Sequence, residues 1–335
     1  MKIRVPDYYY KFNCIADKCT DTCCTHWDVV IDDKTQEFYS GLDGELGERI
    51  RESLSEDEDG DVIFKCKNGR CPFLAPDGLC DIQAQLGEEA LSYTCRQYPR
   101  FFDEFGGLQE YGLSFSCPEA ARLITEHSDK ITFNIEERPD ISITPNDIDA
   151  EFFMFLLSTR DKIFEIIQNR NERVWERVKR LYSYGLAVQK AIDEEIYEVT
   201  DIKEVSIDKS SSDIITAFKR MVFLNTDYYK FAENLIKNRG ETDFDEYILE
   251  REYEYENFLV YMIFRYYLKA VDDYNAFEKI NIAILSYIAV REMGKGLYAE
   301  KLSLTKAENT RIMQLYSKEI EHSGDNMDVI RELCK

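Results

Sequence analysis

The chain is short of positive charge. Its 335 residues carry 42 lysines and arginines against 65 aspartates and glutamates, a formal net charge of −23. The deficit is not confined to a tail. Residues 1–130 hold 14 basic and 26 acidic side chains, net −12, which leaves −11 for residues 131–335. A field of that sign repels phosphates, so nucleic acid and anionic membrane surfaces are excluded as partners, and a cationic target, a lysine-bearing surface or a sulfonium, is favoured. The chain also lacks a long apolar run. Phe258–Phe264 is interrupted at Arg265, and Ile280–Val290 is too short for the ~20 residues of a membrane span, so both read as buried helix. The opening residues Met1 to Tyr8 contain no apolar stretch of the signal-peptide kind, and the expectation is a soluble, cytoplasmic protein. No phosphate-binding glycine loop is present. Gly41-x2-Gly44-x2-Gly47 has helix-like sequence on both sides, where a dinucleotide fingerprint needs a strand before it. There is no internal repeat and no low-complexity segment.

What the chain has instead is thiols in one place. Nine of its ten cysteines lie between Cys14 and Cys117, and the tenth, Cys334, stands apart at the C-terminus. Crowding of that kind has three causes: disulfides, a metal centre or catalytic thiols. A cytosolic chain keeps its thiols reduced, which favours the metal centre. The adjacent Cys23 and Cys24 are also poor partners for each other, because the vicinal disulfide ring is strained. Zinc and iron–sulfur clusters both take thiolates. The spacings Cys14-x4-Cys19 and Cys19-x3-Cys23, then gaps of 4, 8, 14 and 21 residues after Cys66, are dispersed for a structural zinc site with its paired knuckles. They are compatible with an iron–sulfur cluster whose ligands come from distant loops, and spacing alone does not separate one centre from two. A radical S-adenosylmethionine site needs C-x3-C-x2-C, and here His26 follows Cys19 and Cys23 at the third position. His26 is also a candidate ligand or acid–base group, and Trp27 is expected in the core.

Four segments in order resemble a known family. They are the opening C-x4-C-x3-CC-x2-W, the CPFL…DGLC-x-IQ segment, LGEEALSYTCRQYPR and SFSCPEAARL. Over roughly residues 1–125 the chain resembles the flagellin lysine-N-methylase family, and more distantly small cysteine-cluster domains of the zinc- or iron-chelating kind. The family pattern takes in Cys14, Cys19, Cys23, Cys24, Cys71, Cys80, Cys95 and Cys117 as the metal ligands, and leaves out Cys66 and Cys334. The resemblance implies methyl transfer from S-adenosylmethionine to lysines of flagellin, with an iron–sulfur cluster, of the 4Fe–4S type, in the core domain. Zinc is the alternative metal. A non-enzymatic zinc- or iron-binding or redox scaffold is the alternative function.

Local signals place these cysteines on an irregular framework. Val29–Ile31 and Val62–Phe64 read as short strands. Asp32 or Asp33 caps a helix through about Leu42, and another runs from Glu45 to Leu54. Val62–Phe64 is expected to face a hairpin at Pro72–Leu74 and Leu79–Cys80 around the Pro76-Asp77-Gly78 turn. A short helix from Gly87 leads toward Cys95 and stops at Pro99, and strand pieces flank Gly106-Gly107. Ser116 or Cys117 caps a helix with Pro118 at its first position. Residues 131–143 read as a strand pair or a linker. From Thr144 onward the pattern turns helical: Asp149–Gln168, Glu172–Glu198, Asp213–Asn238, Phe244–Val271, Tyr274–Met293, Ser303–His322 and Asp325–Leu333. Breaks are expected at residues 199–212, 239–240 and 272–273 and at Gly294-Lys-Gly296. Tyr253, Tyr255, Tyr261, Tyr266 and Tyr267 read as core tyrosines with polar tips. The expected fold is α+β: an irregular cysteine-rich metal-binding domain over residues 1–130, then an all-α helical domain over residues 145–335.

Overall fold

The structure, a computed structural model, describes residues 1–25, 27–57, 60–139, 147–240 and 242–334. Seven strands lie in the first 137 residues: β1 (Lys2–Pro6), β2 (Val29–Val30), β3 (Leu54–Glu56), β4 (Val62–Phe64), β5 (Arg100–Phe105), β6 (Leu108–Leu113) and β7 (Phe133–Glu137). Among them run α1 (Asp33–Ser40), α2 (Gly44–Ser53), α3 (Asp81–Leu86), α4 (Tyr93–Gln97) and α5 (Pro118–Thr125). The rest is helical: α6 (Ala150–Ile167), α7 (Val174–Asp193), α8 (Ser211–Phe218), α9 (Tyr228–Lys237), α10 (Phe244–Tyr247), α11 (Tyr253–Tyr266), α12 (Ala270–Asp273), α13 (Ala276–Lys301), α14 (Lys306–Glu321) and α15 (Gly324–Leu333). The α+β class is as expected, with strands first and helices after. No helix among the described residues is long and apolar enough to cross a membrane.

Local chemistry explains many of the boundaries. Asp32 accepts the Thr35 N–H and starts α1, and Ser210 and Thr305 form capping boxes at α8 and α14. Cys117 occupies the cap position of α5 with Pro118 just inside it. Of the five tyrosines expected in the core, Tyr255, Tyr261 and Tyr267 are buried with hydroxyls partnered on Asn309, Glu321 and Thr159, whereas Tyr253 and Tyr266 are half-buried.

Two cores result. The larger runs from Ile3 and Val5 of β1 through the helices to Ile330 of α15. The smaller comprises Val29, Ile31, Tyr39, Ile50, Phe64, Phe73 and Ile82, with Cys71 inside it and Cys24, Cys66, Cys80 and Cys95 packed against it. The main sheet has the order β5-β6-β1-β7, with β1 parallel to β6 and antiparallel to β7. Residues 131–139 thus contribute a strand, and Ile141 and Ile143 lie outside the described residues. The second sheet, β2-β4-β3, belongs to the smaller core. β4 therefore pairs with β2 and β3, while the expected hairpin reduces to a bridge between Leu74 and Cys80 closed around Gly78. Tyr8 and Tyr9 are buried against His127 and Tyr111, and Tyr10 is exposed with its hydroxyl on Glu136.

The single helix expected over Phe244–Val271 is α10, α11 and α12, joined by short 3₁₀ turns at Leu249–Arg251 and Tyr267–Lys269. Two further helical expectations fail for tertiary reasons. The single helix expected over Asp213–Asn238 is α8 and α9 with a loop between. Side chains from elsewhere take the loop's backbone donors: Glu319 accepts the N–H groups of Leu224 and Asn225, and Asn326 accepts that of Val222. Conversely, α13 passes unbroken through Gly294 and Gly296. These glycines serve close approach. A Cβ on Gly296 would lie 1.9 Å from the Leu235 carbonyl oxygen of α9, and one on Gly294 would lie 2.5 Å from the Tyr255 hydroxyl. Gly296→Ala should therefore push α9 from α13 and cost about 1–3 kcal/mol, the range for overpacking. The readout is a lower urea midpoint with native helicity at zero denaturant, and an unchanged midpoint would rule out this contact.

Candidate functional site

Local backbone devices place several of the thiol-bearing residues. The Cys71 N–H donates to the Cys24 carbonyl at 2.8 Å. Cys80 stands at the cap of α3 beside the Leu74–Cys80 bridge. Ser92 caps α4 by accepting the Cys95 N–H at 3.2 Å. Cys117 caps α5. All ten cysteines stand as free thiols.

Electrostatic coupling divides the eight family-pattern thiols into two neighbourhoods. Cys71, Cys80 and Cys95 each feel the charge of Cys24. Cys117 feels Cys19 and Cys14, and Cys19 feels Cys14. Cys23 bridges them: it is hydrogen-bonded to Cys24 and feels both Cys95 and Cys14. That hydrogen bond raises the Cys23 thiol and lowers Cys24. Burial pushes Cys71 up to about 12 and Cys95 and Cys117 up to about 11, and it also raises Cys19 and Cys80. The N–H groups of Gln83 and Ile82 at α3, and of Ala120 and Glu119 at α5, pull the other way on Cys80 and Cys117.

Cys19, Cys71, Cys80, Cys95 and Cys117, whose ionisation burial opposes, gain from a soft cation, which stabilises the thiolate forms. By donor chemistry the set fits a thiolate-bound metal or cluster. As the side chains stand, no group of three or more His, Cys, Asp or Glu among the described residues is arranged to hold an ion. The thiols are gathered and not closed around a point. Cys66 and Cys334, outside the pattern, have structural roles in view: Cys66 Sγ donates to the Trp27 carbonyl at 2.9 Å, and Cys334 packs against the main core at the far end of the chain. His26 lies outside the described residues.

The thiol-bearing segments meet α14 through residues that the sequence reading passes over. Asp21, between Cys19 and Cys23, accepts from Lys318 Nζ at 2.6 Å, from Arg311 at 3.0 Å and from Gln314 at 3.1 Å. Burial would raise its carboxyl, but Lys318 and Arg311 outweigh that and hold it below the usual range. Trp27 is half-buried and not a core residue. Its ring stacks on His322 at 4.8 Å and meets Tyr98 at 5.4 Å, and the Lys318 ammonium lies 5.2 Å from its centre. His322 keeps an exposed edge, and packing of the ring lowers its pKa. The one available signal was the four-residue spacing of Gln314, Lys318 and His322, which reads equally well as a polar helix face. A separate open groove of about 1290 Å³ lies on the helical half, floored by Phe164, Ile166 and Tyr184. None of the cysteines lines it, and Lys162–Glu165, Lys179–Glu176 and Arg180–Glu172 pairs neutralise much of its rim.

Against known proteins, residues 160–335 match the family model described as the FliB lysine N-methylase C-terminal domain. That is more than half of the chain, which belongs to the FliB lysine N-methylase family. It is similar to a flagellar biosynthetic protein, FliU, of Salmonella muenchen, 28% identical over 130 residues, which cover 37% of this chain and 77% of the relative. It is also similar to a lysine-N-methylase of Salmonella typhimurium, 27% identical over 135 residues, which cover 38% of this chain and 34% of the relative. A lysine-N-methylase of Salmonella choleraesuis gives the same identity and coverage. The match therefore spans about a third of either named methylase. No solved structure matches.

Proposed function

We propose that this protein is a protein-lysine N-methyltransferase that moves the methyl group of S-adenosylmethionine to lysine side chains of flagellin. We propose further that Cys14, Cys19, Cys23, Cys24, Cys71, Cys80, Cys95 and Cys117 hold an iron–sulfur cluster. The observation that carries the methyltransferase reading is the family match over residues 160–335, with the named lysine-N-methylases beside it. The gathered thiols support the cluster, and the flagellar name of one relative supports the substrate.

In the reaction a neutral lysine nitrogen attacks the sulfonium methyl carbon. The carbon–sulfur bond breaks, its electron pair returns to sulfur to leave a thioether, and the nitrogen sheds one proton to a base or to solvent. Free lysine has a pKa of about 10.4, so the amine must lose its proton before attack, and a desolvating site favours that loss. A bound cluster supplies charge compensation for the thiolates and a Lewis-acidic iron. The chain itself supplies an acidic surface that draws in a cationic target.

Incubation of the protein with flagellin and methyl-labelled donor should place label on flagellin lysines, and failure to label any lysine would overturn the reading. Anaerobically purified protein should be brown. A colourless, zinc-loaded preparation would overturn the cluster and leave the methyl transfer standing. The acidic field adds a prediction. The rate of association with flagellin should fall as salt rises from low to physiological strength, because the Debye length contracts to about 8 Å. A rate flat across that range would leave the −23 charge as a solubility device.

A further inference from the structure

We propose that Gln314, Lys318 and His322, one side-chain stripe along α14 and the residue after it, are positioning residues that hold the segments bearing Cys19, Cys23 and Cys117 against each other. The inference rests on the reading of these thiols as a ligand set, and it assigns the C-terminal family domain a part in building that set. No cysteine of the set lies within residues 160–335. Yet one helix of that domain reaches both segments.

Gln314 bridges them directly. Its amide nitrogen donates to the Asp21 carboxylate at 3.1 Å and to the Ser116 carbonyl at 2.5 Å. Asp21 is two residues from both Cys19 and Cys23, and Ser116 precedes Cys117. One turn further on, Lys318 Nζ pairs with Asp21 at 2.6 Å, its side chain 4% exposed against 12% for the aspartate. A turn beyond that, the His322 ring nitrogen meets the Ser116 hydroxyl at 2.7 Å, which also meets the Tyr98 hydroxyl at 3.0 Å. Trp27 closes the assembly, lying over both His322 and Lys318.

A nearly buried ion pair tolerates loss of one partner badly, and without Lys318 the Asp21 carboxylate is left with the more exposed Arg311, at 3.0 Å. Removing Lys318 therefore loosens the Asp21 segment in particular. The other thiols have different supports. Cys71 is tied to Cys24 and Cys95 to Ser92 within residues 24–95, and all pack on the smaller core. The stripe thus sets one neighbourhood of thiols and leaves the other to local structure.

Site-resolved alkylation tests this on the metal-free full-length chain. Lys318→Met and Gln314→Leu should let iodoacetamide modify Cys19, Cys23 and Cys117 roughly tenfold faster than in the wild type, as local opening becomes easier. Cys71 and Cys80 should react at unchanged rates, and Lys318→Arg should restore the slow rates. If Lys318→Met loses its helical circular dichroism, Asp21→Asn, which keeps the shape of the side chain, gives the same readout. Unchanged rates at all sites, or equal acceleration at Cys71 and Cys80, would overturn the proposal. A wild-type chain that takes up neither iron nor zinc would overturn the reading of the thiols as a ligand set instead. The two failures are distinguishable because alkylation is read without metal.

Discussion

Arg160→Met should lower the free energy of unfolding by about 3–5 kcal/mol, the usual cost of removing one partner from a buried ion pair. Arg160 is 0% exposed, at the face where α6 meets the main sheet. Its two terminal nitrogens donate to the two oxygens of Glu110 on β6 at 2.7 and 2.5 Å, a bidentate pair whose geometry fits the guanidinium fork. Without it, Glu110 keeps only Arg4 of β1, at 3.5 Å. The loss should be non-additive. The double variant Arg160→Met with Glu110→Leu should recover much of the stability, because an apolar pair of similar volume leaves no bare charge. Urea unfolding followed by far-ultraviolet circular dichroism measures both. A single variant within 1 kcal/mol of wild type would mean that this pair adds little to the join between the sheet and the helices.

Cys95→Ala and Cys23→Ala should give protein that is insoluble or free of metal, whereas Cys66→Ala and Cys334→Ala should keep both solubility and metal. If the thiols hold a cluster, the energy of binding it is folding energy for the segments around it. The regular structure around them is slight, since β2, β3 and β4 are two or three residues long and the smaller core is modest. Cys66 loses one hydrogen bond to the Trp27 carbonyl, worth about 1 kcal/mol. Cys334, next to the C-terminal residue of the sequence, packs against the larger core. Soluble yield and bound iron per chain read the result. Equal damage at all four positions would defeat the division between ligand thiols and structural ones.

Where the sequence was legible, the interactions are local. Asp32 before α1 and Pro118 after Cys117 are signals read within one helical turn, and those helices start where they predict; α14 starts at Lys306, behind the Thr305 and Glu308 capping box, and not at the expected Ser303. Tyr255, Tyr261 and Tyr267 read correctly for a related reason, since their spacing places them inward and burial favours a partner for the hydroxyl, while Tyr253 and Tyr266 stay half-buried. β1 was missed. Lys2-Ile3-Arg4-Val5 alternates, but over too few residues to stand out, and its central place between β6 and β7 depends on partners more than 100 residues away. Gly294 and Gly296 misled for the opposite reason. A glycine that breaks a helix and one that admits a neighbouring backbone look alike until the neighbour is known.

By itself, then, the sequence determined the class of the fold, the acidic field, the order of strands before helices and the set of thiols. Each follows from composition, from spacing along the chain or from contacts within a turn. The tertiary structure alone decided that those thiols fall into two neighbourhoods, and that Asp21 meets Lys318 nearly 300 residues later. A polar side chain carries no mark of its distant partner. Gln314, Lys318 and His322 are a plausible solvent-facing stripe in the sequence, and only the packing of α14 on the cysteine-bearing segments turns that stripe inward.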